Sequence, residues 1–191
     1  MSVTINGNGT ITGYTPPVAD GSITAAKLAS GAISASTLPA GTVIQTVTQK
    51  VDQSSMTDIT SSTTTFTGLY AEITPHLSNS KIIVLVNMLI YISGGGMDTG
   101  AAITIQRKIG SGSYSILEGS KDAQHHQQFY AFEGGGNIEL ISTFSDTCFD
   151  TPGTNSEVVR YQIFGSAHSG GTVNLTTNNS NNHITLLEIK V

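Results

Sequence analysis

The sequence predicts an all-β protein: an antiparallel β-sandwich or barrel preceded by an extended N-terminal segment. Three observations carry this expectation. From Gly41 onward, short runs rich in Val, Ile, Thr and aromatic residues alternate with clusters of Gly, Ser, Asn and Pro. Charged residues make up only 11 % of the 191 positions, against roughly 25 % in an average globular domain. The polar surface therefore falls to Ser, Thr, Asn, Gln and Gly, a composition that favours strands and turns over helices. Finally, residues 18–43 repeat at a period that suits neither a helix nor a strand.

The first element is a hairpin. In "MSVTINGNGTITG", Val3-Thr4-Ile5 and Thr10-Ile11-Thr12 flank "NGNG", and Asn-Gly pairs accept the positive φ of tight turns. "YTPPVADG" follows, where Pro16-Pro17 can donate no ladder hydrogen bond and stiffens an extended linker.

The unusual repeat comes next. Val18, Ile23, Leu28, Ile33, Leu38 and Val43 recur every five positions, whereas a helix needs about 3.6 and a strand 2. Two related decads, "GSITAAKLAS" and "GAISASTLPA", lie inside it. Neither can bury its own Ile and Leu, so the segment needs neighbours. A helical turn from Thr24 to Leu28, stopped by Gly31, fits the first decad; Pro39 blocks the same extension in the second. The segment reads as short extended pieces and tight turns packed against copies of itself or against another protein.

The strand-like runs are "TVIQTVTQKV", "TDITSSTTTFTG", "LYAEITP", "KIIVLVNMLIYI", "AAITIQRKI", "YSILEG", "HQQFYAF", "NIELISTFSDTCFD", "SEVVRYQIFG", "GTVNLTT" and "HITLLEIKV". Ile103 and Ile105 fall on one face, as do Ile138, Leu140 and Phe144. "KIIVLVNMLIYI" is apolar on both faces. It is expected at the centre of a sheet, covered on both sides, by the sandwich core and by a subunit interface.

Several functions are disfavoured. The formal charge is −5, and the eight Lys and Arg are scattered, whereas a nucleic-acid binder needs a dense basic patch. With Cys148 alone, neither an intrachain disulfide nor a Cys-based zinc site can form. The apolar run Ile82–Ile92 is too short to cross a bilayer, and the N-terminus lacks the basic start and apolar core of a signal peptide. The expectation is a soluble protein made in the host cytoplasm, without membrane insertion.

At this point the residues resemble a family. "PAGTVIQTVTQ", "TFTGLYAEITPHLSNSKIIVLVNMLIYI" and the closing "HITLLEIKV" resemble the C-terminal knobs of bacteriophage fibre proteins. Gly68, Leu69, Ile73, Thr74, Pro75, Ser80, Lys81, Ile82, Glu188 and Ile189 stand at matching places. "SVTINGNGTITG" looks like a virion-anchoring start, and "GSITAAKLASGAIS" like a fibre-shaft decad. The resemblance implies a homotrimeric jelly-roll knob, residues 41–191, on an anchor and short trimerisation shaft, residues 1–40, mounted on the virion surface. Anchor candidates are then Val3, Ile5 and Ile11. Shaft candidates are Ile23, Leu28, Ile33 and Leu38. The implied partners are further copies of the chain, phage capsid or tail proteins at the N-terminus, and a host-surface glycan or protein at the knob.

No catalytic signature stands out. His125-His126 is the one histidine cluster. Adjacent strand residues face opposite ways, so one chain cannot easily offer both to a metal. Three chains could present one His each to zinc on an axis, but surface or interface histidine is the default reading. Cys148 shares the Ile138/Leu140/Phe144 face and reads as buried and structural. No carboxylate pair has the standing of a glycosidase pair. Tyr114, Phe129, Tyr130, Phe132 and Tyr161 could stack on sugars, with Phe129 and Phe132 favoured as core. "GGG" at Gly94, Gly95 and Gly96 lacks the following helix and Lys of a phosphate loop. It reads as a recognition loop, with His125 and His126 as further receptor-loop candidates. The expectation is a binding protein without enzyme activity, cofactor or metal. The alternatives are a trimeric capsid decoration or cement protein, and a jelly-roll lectin or carbohydrate-active enzyme.

Overall fold

The computed structural model describes residues 4–5, 7, 11–12, 33–95, 99–117, 127–131, 137–168, 171–175 and 182–191. The chain divides into two units, Met1–Ser34 and Ala35–Val191. In the first, β1 (Thr4–Ile5) pairs antiparallel with β2 (Ile11–Thr12), Ile5 opposite Ile11, which is the hairpin read from "NGNG". Val3, Ile23 and Leu28 lie outside the described residues.

The second unit is all-β. Its strands are β3 (Val43–Val51), β4 (Thr65–Ile73), β5 (Lys81–Gly95), β6 (Thr99–Ile109), β7 (Ser115–Ile116), β8 (Gln127–Ala131), β9 (Asn137–Asp150), β10 (Val159–His168), β11 (Thr172–Asn174) and β12 (Asn182–Ile189). They form two antiparallel sheets. In sheet I the order is β3-β12-β5-β9, with β11 continuing alongside β5 beyond β12. In sheet II it is β4-β10-β6, with β7 and β8 both pairing with β6. Successive long strands cross between the sheets, so each sheet interleaves early and late strands. This is the connectivity of a jelly roll.

Strand parity decides the core. Along β5, Ile82, Val84, Val86, Met88, Ile90 and Ile92 turn inward and are almost fully buried. Ile103, Ile105, Val159, Tyr161, Ile163, Ile184 and Leu186 meet them from neighbouring and opposing strands. The outward residues of β5, namely Ile83, Leu85, Asn87, Leu89 and Tyr91, are only half-buried. Within one chain this strand is therefore covered on one face, by the sandwich core; the cover expected for its other face was a subunit interface, which lies outside a single chain.

"TDITSSTTTFTG" is a strand only from Thr65 onward. The preceding residues staple the sheets instead. Ile59 forms a single bridge with Val173 of β11, Thr57 N donates to Thr67 O at 2.9 Å, and Ala167 N donates to Ser61 O at 2.8 Å. Gly68 makes this crossing feasible. Its φ is +99°, and a Cβ there would stand 2.6 Å from Ser55 O, so only glycine fits without strain.

The sandwich has two distinct ends. Val43, Lys81 and Ile189 align at one, by the register of β3, β12 and β5. Here the chain enters: Gly41 N donates to Lys190 O at 2.8 Å, and Lys190 N to Thr42 O at 3.0 Å. Lys190 Nζ also reaches Leu38 O, and Ser36 O at 2.6 Å. Residues 35–40 thus belong with the sandwich, and the break falls at Ser34/Ala35, ahead of the 40/41 boundary read from composition. Gly94 and Gly95, opposite Ile138 and Asn137, mark the other end. Lys81 and Gly95 are the two ends of the fifteen-residue β5, about 46 Å apart at ~3.3 Å per residue step.

Candidate functional site

Among the described residues, the most highly connected polar site gathers residues from distant parts of the sequence. Glu188, on β12, is fully buried. Its Oε1 accepts from Ser80 Oγ at 2.6 Å, His76 N at 2.7 Å and Leu77 N at 3.2 Å. Its Oε2 lies 3.0 Å from His76 Nδ1. The Gln45 amide nitrogen, turned inward, donates to the same Oε2 at 3.2 Å. Burial alone would raise the pKa of this carboxyl. The bonds from the Ser80 hydroxyl, the His76 ring and the His76 and Leu77 backbones outweigh it and hold Glu188 below the usual carboxylate range. The loop between β4 and β5 is thereby tied to the last strand. Chemically this is a junction: each carboxylate oxygen is already committed to donors.

A second cluster lies at the chain-entry end, on the side of β9 and β7. Asp150 Oδ1 accepts from Arg107 Nη1 at 2.7 Å, and Oδ2 from the Tyr161 hydroxyl at 2.7 Å. Burial, reinforced by the adjacent Asp150 charge and hydrogen bond, pushes the Tyr161 phenol up. The cluster floors a cleft of about 460 Å³ lined by Lys81, Arg107, Ser115, Ile116, Phe149 and Asp150. Two cations face one paired carboxylate, beside a Phe149 ring that is 63 % exposed.

The outer faces of the two sheets differ. Sheet II is finished by its own side chains. Phe66 packs on Tyr70 and Phe164 with centroids at 6.1 and 5.9 Å, and Tyr114 meets Phe164 edge-on at 5.7 Å. The Arg160 guanidinium caps the Tyr70 ring at 3.9 Å, and Lys108 Nζ lies 5.5 Å from the Tyr114 ring. Glu72 Oε1 holds Arg160 Nε at 2.9 Å. Among the described residues, sheet I carries no such aromatic layer. Ile141 and Phe149 on β9 are 61 % and 63 % exposed.

The sequence candidates are thus dispersed. Gly94 and Gly95 end β5, far from the cleft, while Gly96, His125, His126 and Phe132 lie outside the described residues. Ile33 is 62 % exposed. Phe129 and Tyr161 are core residues, not sugar platforms; Tyr114 belongs to the outer aromatic cluster. Cys148 is buried. Its thiol is pushed up to about 12 by burial, then by the charge and hydrogen bond of Asp146, which suits a structural cysteine. Among the described residues, no three His, Cys, Asp or Glu side chains gather as a metal site.

The aromatic cluster and the cleft were invisible in the sequence, because their members lie on strands far apart in the chain. The Ser80–Glu188 junction did leave a trace: both residues lie in the segments whose sequence resembles fibre knobs.

No family model and no curated protein matches the sequence. Among solved structures, the chain is similar at a low level to the structure of infectious bursal disease virus Gx strain, with 11 % identity and a TM-score of 0.36 over 78 % of this chain and 38 % of that one. It is similar to the same degree to the D431N mutant VP2 protein of infectious bursal disease virus from derived T=1 particles, with 11 % identity and a TM-score of 0.36 over 78 % of this chain and 36 % of that one. The chain therefore spans well under half the length of either.

Proposed function

We propose that the chain is a bacteriophage virion structural protein: a short homotrimeric fibre held on the particle by its N-terminus, whose jelly-roll knob contacts the host cell surface. It acts by binding, without catalysis. The observation that carries this reading is the meeting of Ser80 and Glu188 in one junction. These residues lie in two distant segments whose sequence resembles fibre knobs, and in the fold they serve one architectural purpose. The polarity of the sandwich supports it: the chain enters at the Val43/Ile189 end, and Gly94 and Gly95 stand at the other. Ile33, Leu28 and Ile23 then serve shaft contacts between chains, and Val3, Ile5 and Ile11 the anchor. Repeated copies on one particle would add avidity to a weak glycan or protein contact.

Deleting residues 1–13 and measuring incorporation into particles tests the anchor. The truncated chain is expected to fold, and to be absent from purified particles. If it still decorates capsids at wild-type occupancy, the cement reading replaces the fibre reading. That second reading draws on the exposed Ile141 and Phe149, which would suit a capsid-bound face. Purified full-length chain is also expected to compete with phage for adsorption to host cells. Turnover of a host polysaccharide by the same preparation would overturn the non-enzymatic reading in favour of a carbohydrate-active enzyme.

A further inference from the structure

We infer that the cleft on the side of β9 and β7 binds an acidic sugar, a pyranose carrying one carboxylate. The inference rests on the reading that the knob contacts a host-surface glycan. It assigns that contact to the flank of the sandwich near the chain entry, and not to the Gly94 and Gly95 end.

The cleft is built from both sheets. Lys81 and Asp150 come from β5 and β9 of sheet I, where Asp150 stands opposite Ile82. Arg107 and Ser115 come from β6 and β7 of sheet II, opposite each other. The Arg107–Asp150 ion pair joins the two sheets at 2.7 Å, and the Tyr161 hydroxyl holds the other Asp150 oxygen. The floor is therefore fixed before a ligand arrives, which lowers the ordering cost of binding.

Charge selects an anion. The chain has only eight Lys and Arg and a net charge of −5, yet two of those cations line this cleft beside a single carboxylate. Each Asp150 oxygen already accepts a bond. Lys81 is exposed and has no acidic partner among the described residues. The Arg107 guanidinium has five N–H donors; Nη1 serves Asp150, and 26 % of the side chain remains exposed. The surplus is one positive charge, which one carboxylate balances. The second negative charge of a phosphate would face Asp150 without a counter-ion.

The rim selects the body of the ligand. Phe149 from sheet I is 63 % exposed, and Ile116 from sheet II is 38 % exposed. The negative face of an aromatic ring attracts the C–H bonds on the apolar side of a pyranose. Ser115 Oγ makes only a long 3.5 Å contact to Arg107 O, so its hydroxyl is available to a sugar hydroxyl. Hydroxyl groups both donate and accept, and so suit Ser115 and the outer lone pairs of Asp150 together. This favours a sugar over an acidic peptide. The volume, about 460 Å³, falls in the range of roughly 300–1,000 Å³ usual for small-ligand sites.

The test presents the full chain with immobilised oligosaccharides, some bearing a uronic or nonulosonic acid and some neutral and of equal length. Wild type is expected to bind the acid-bearing members alone, and less tightly as salt rises. Lys81→Gln and Phe149→Ala are each expected to weaken binding about tenfold, with unchanged near-ultraviolet circular dichroism. Lys50→Gln removes the same charge from β3, outside the cleft, and is expected to bind as wild type does. Absence of binding to every acid-bearing member would overturn the inference, as would equal binding to neutral ones. Full binding by the folded Lys81 and Phe149 variants would also overturn it. Displacement by a poly-glutamate peptide at lower concentration than by the acidic sugar would give the cleft to an acidic protein, against the proposal. Competition with phage for adsorption separates this inference from the reading beneath it. If wild type binds the sugar through Lys81 and Phe149 but Lys81→Gln competes as well as wild type, the sugar site stands and its role in host contact falls.

Discussion

Ser80 Oγ lies 2.6 Å from Glu188 Oε1, joining the start of β5 to the last strand of the sandwich. The same carboxylate accepts two backbone N–H groups of the β4–β5 loop. Replacing it leaves those part-buried donors, and the buried Ser80 hydroxyl, without a strong acceptor. Glu188→Ala is expected to cost about 3 kcal/mol and Glu188→Gln about 2 kcal/mol, read from urea midpoints.

The junction is also pH-dependent. The folded-state pKa of Glu188 lies below its unfolded value, so the native protein holds the carboxylate more tightly than the unfolded chain does. Its contribution is complete above the unfolded pKa, about 4.3, and is lost as pH falls through the folded value. Wild type is expected to lose stability on acidification from pH 5 to pH 3. Glu188→Gln should lose less over the same interval, when urea midpoints are compared.

Gly68→Ala places a methyl group against Ser55 O and forces a side chain into φ +99°. A destabilisation of about 2 kcal/mol is expected, seen as a lowered melting temperature. Gly153, with φ +75° and open space around it, is the control: its Ala variant pays for conformation alone and should lose only about 1 kcal/mol.

Asp150 holds two partners at once. Asp150→Ala leaves the Arg107 guanidinium and the buried Tyr161 hydroxyl without their acceptor. About 3 kcal/mol of stability should disappear, measured by chemical denaturation. Tyr161→Phe removes one of the two bonds and should cost about 1 kcal/mol.

Cys148, with its thiol pushed up to about 12, should resist alkylation in the native protein. Iodoacetamide at pH 8 is expected to modify it roughly 10³-fold more slowly than a free cysteine. Urea should restore the ordinary rate, as read by mass spectrometry.

Much of this architecture is legible in residue order. Alternation at Ile103 and Ile105, and along Leu140 to Cys148, follows from the two-residue period of a strand. The hairpin at Ile5 and Ile11 follows from "NGNG". What the sequence hides is pairing between distant strands. Nothing near Phe66 says that Phe164 will lie beside it, or near Arg107 that Asp150 will. The half-covered state of "KIIVLVNMLIYI" is hidden for a related reason: an apolar face looks the same in sequence whether its cover comes from the same chain or from another. The single bridge of Ile59 was masked by the Thr-rich run around it, whose composition suits a strand that the crossing geometry does not allow.

The two-ended sandwich has a practical consequence for display. Gly41 and Lys190 are hydrogen-bonded to each other at one end, so a tag fused after Val191 would emerge beside the point where the chain enters the sandwich. Gly95, the last residue of β5, and Thr99, the first of β6, stand at the other end, remote from the Glu188 junction and from the entering chain. A peptide grafted between those two strands would join them at the end where the closure through Gly41, Lys190 and Glu188 plays no part.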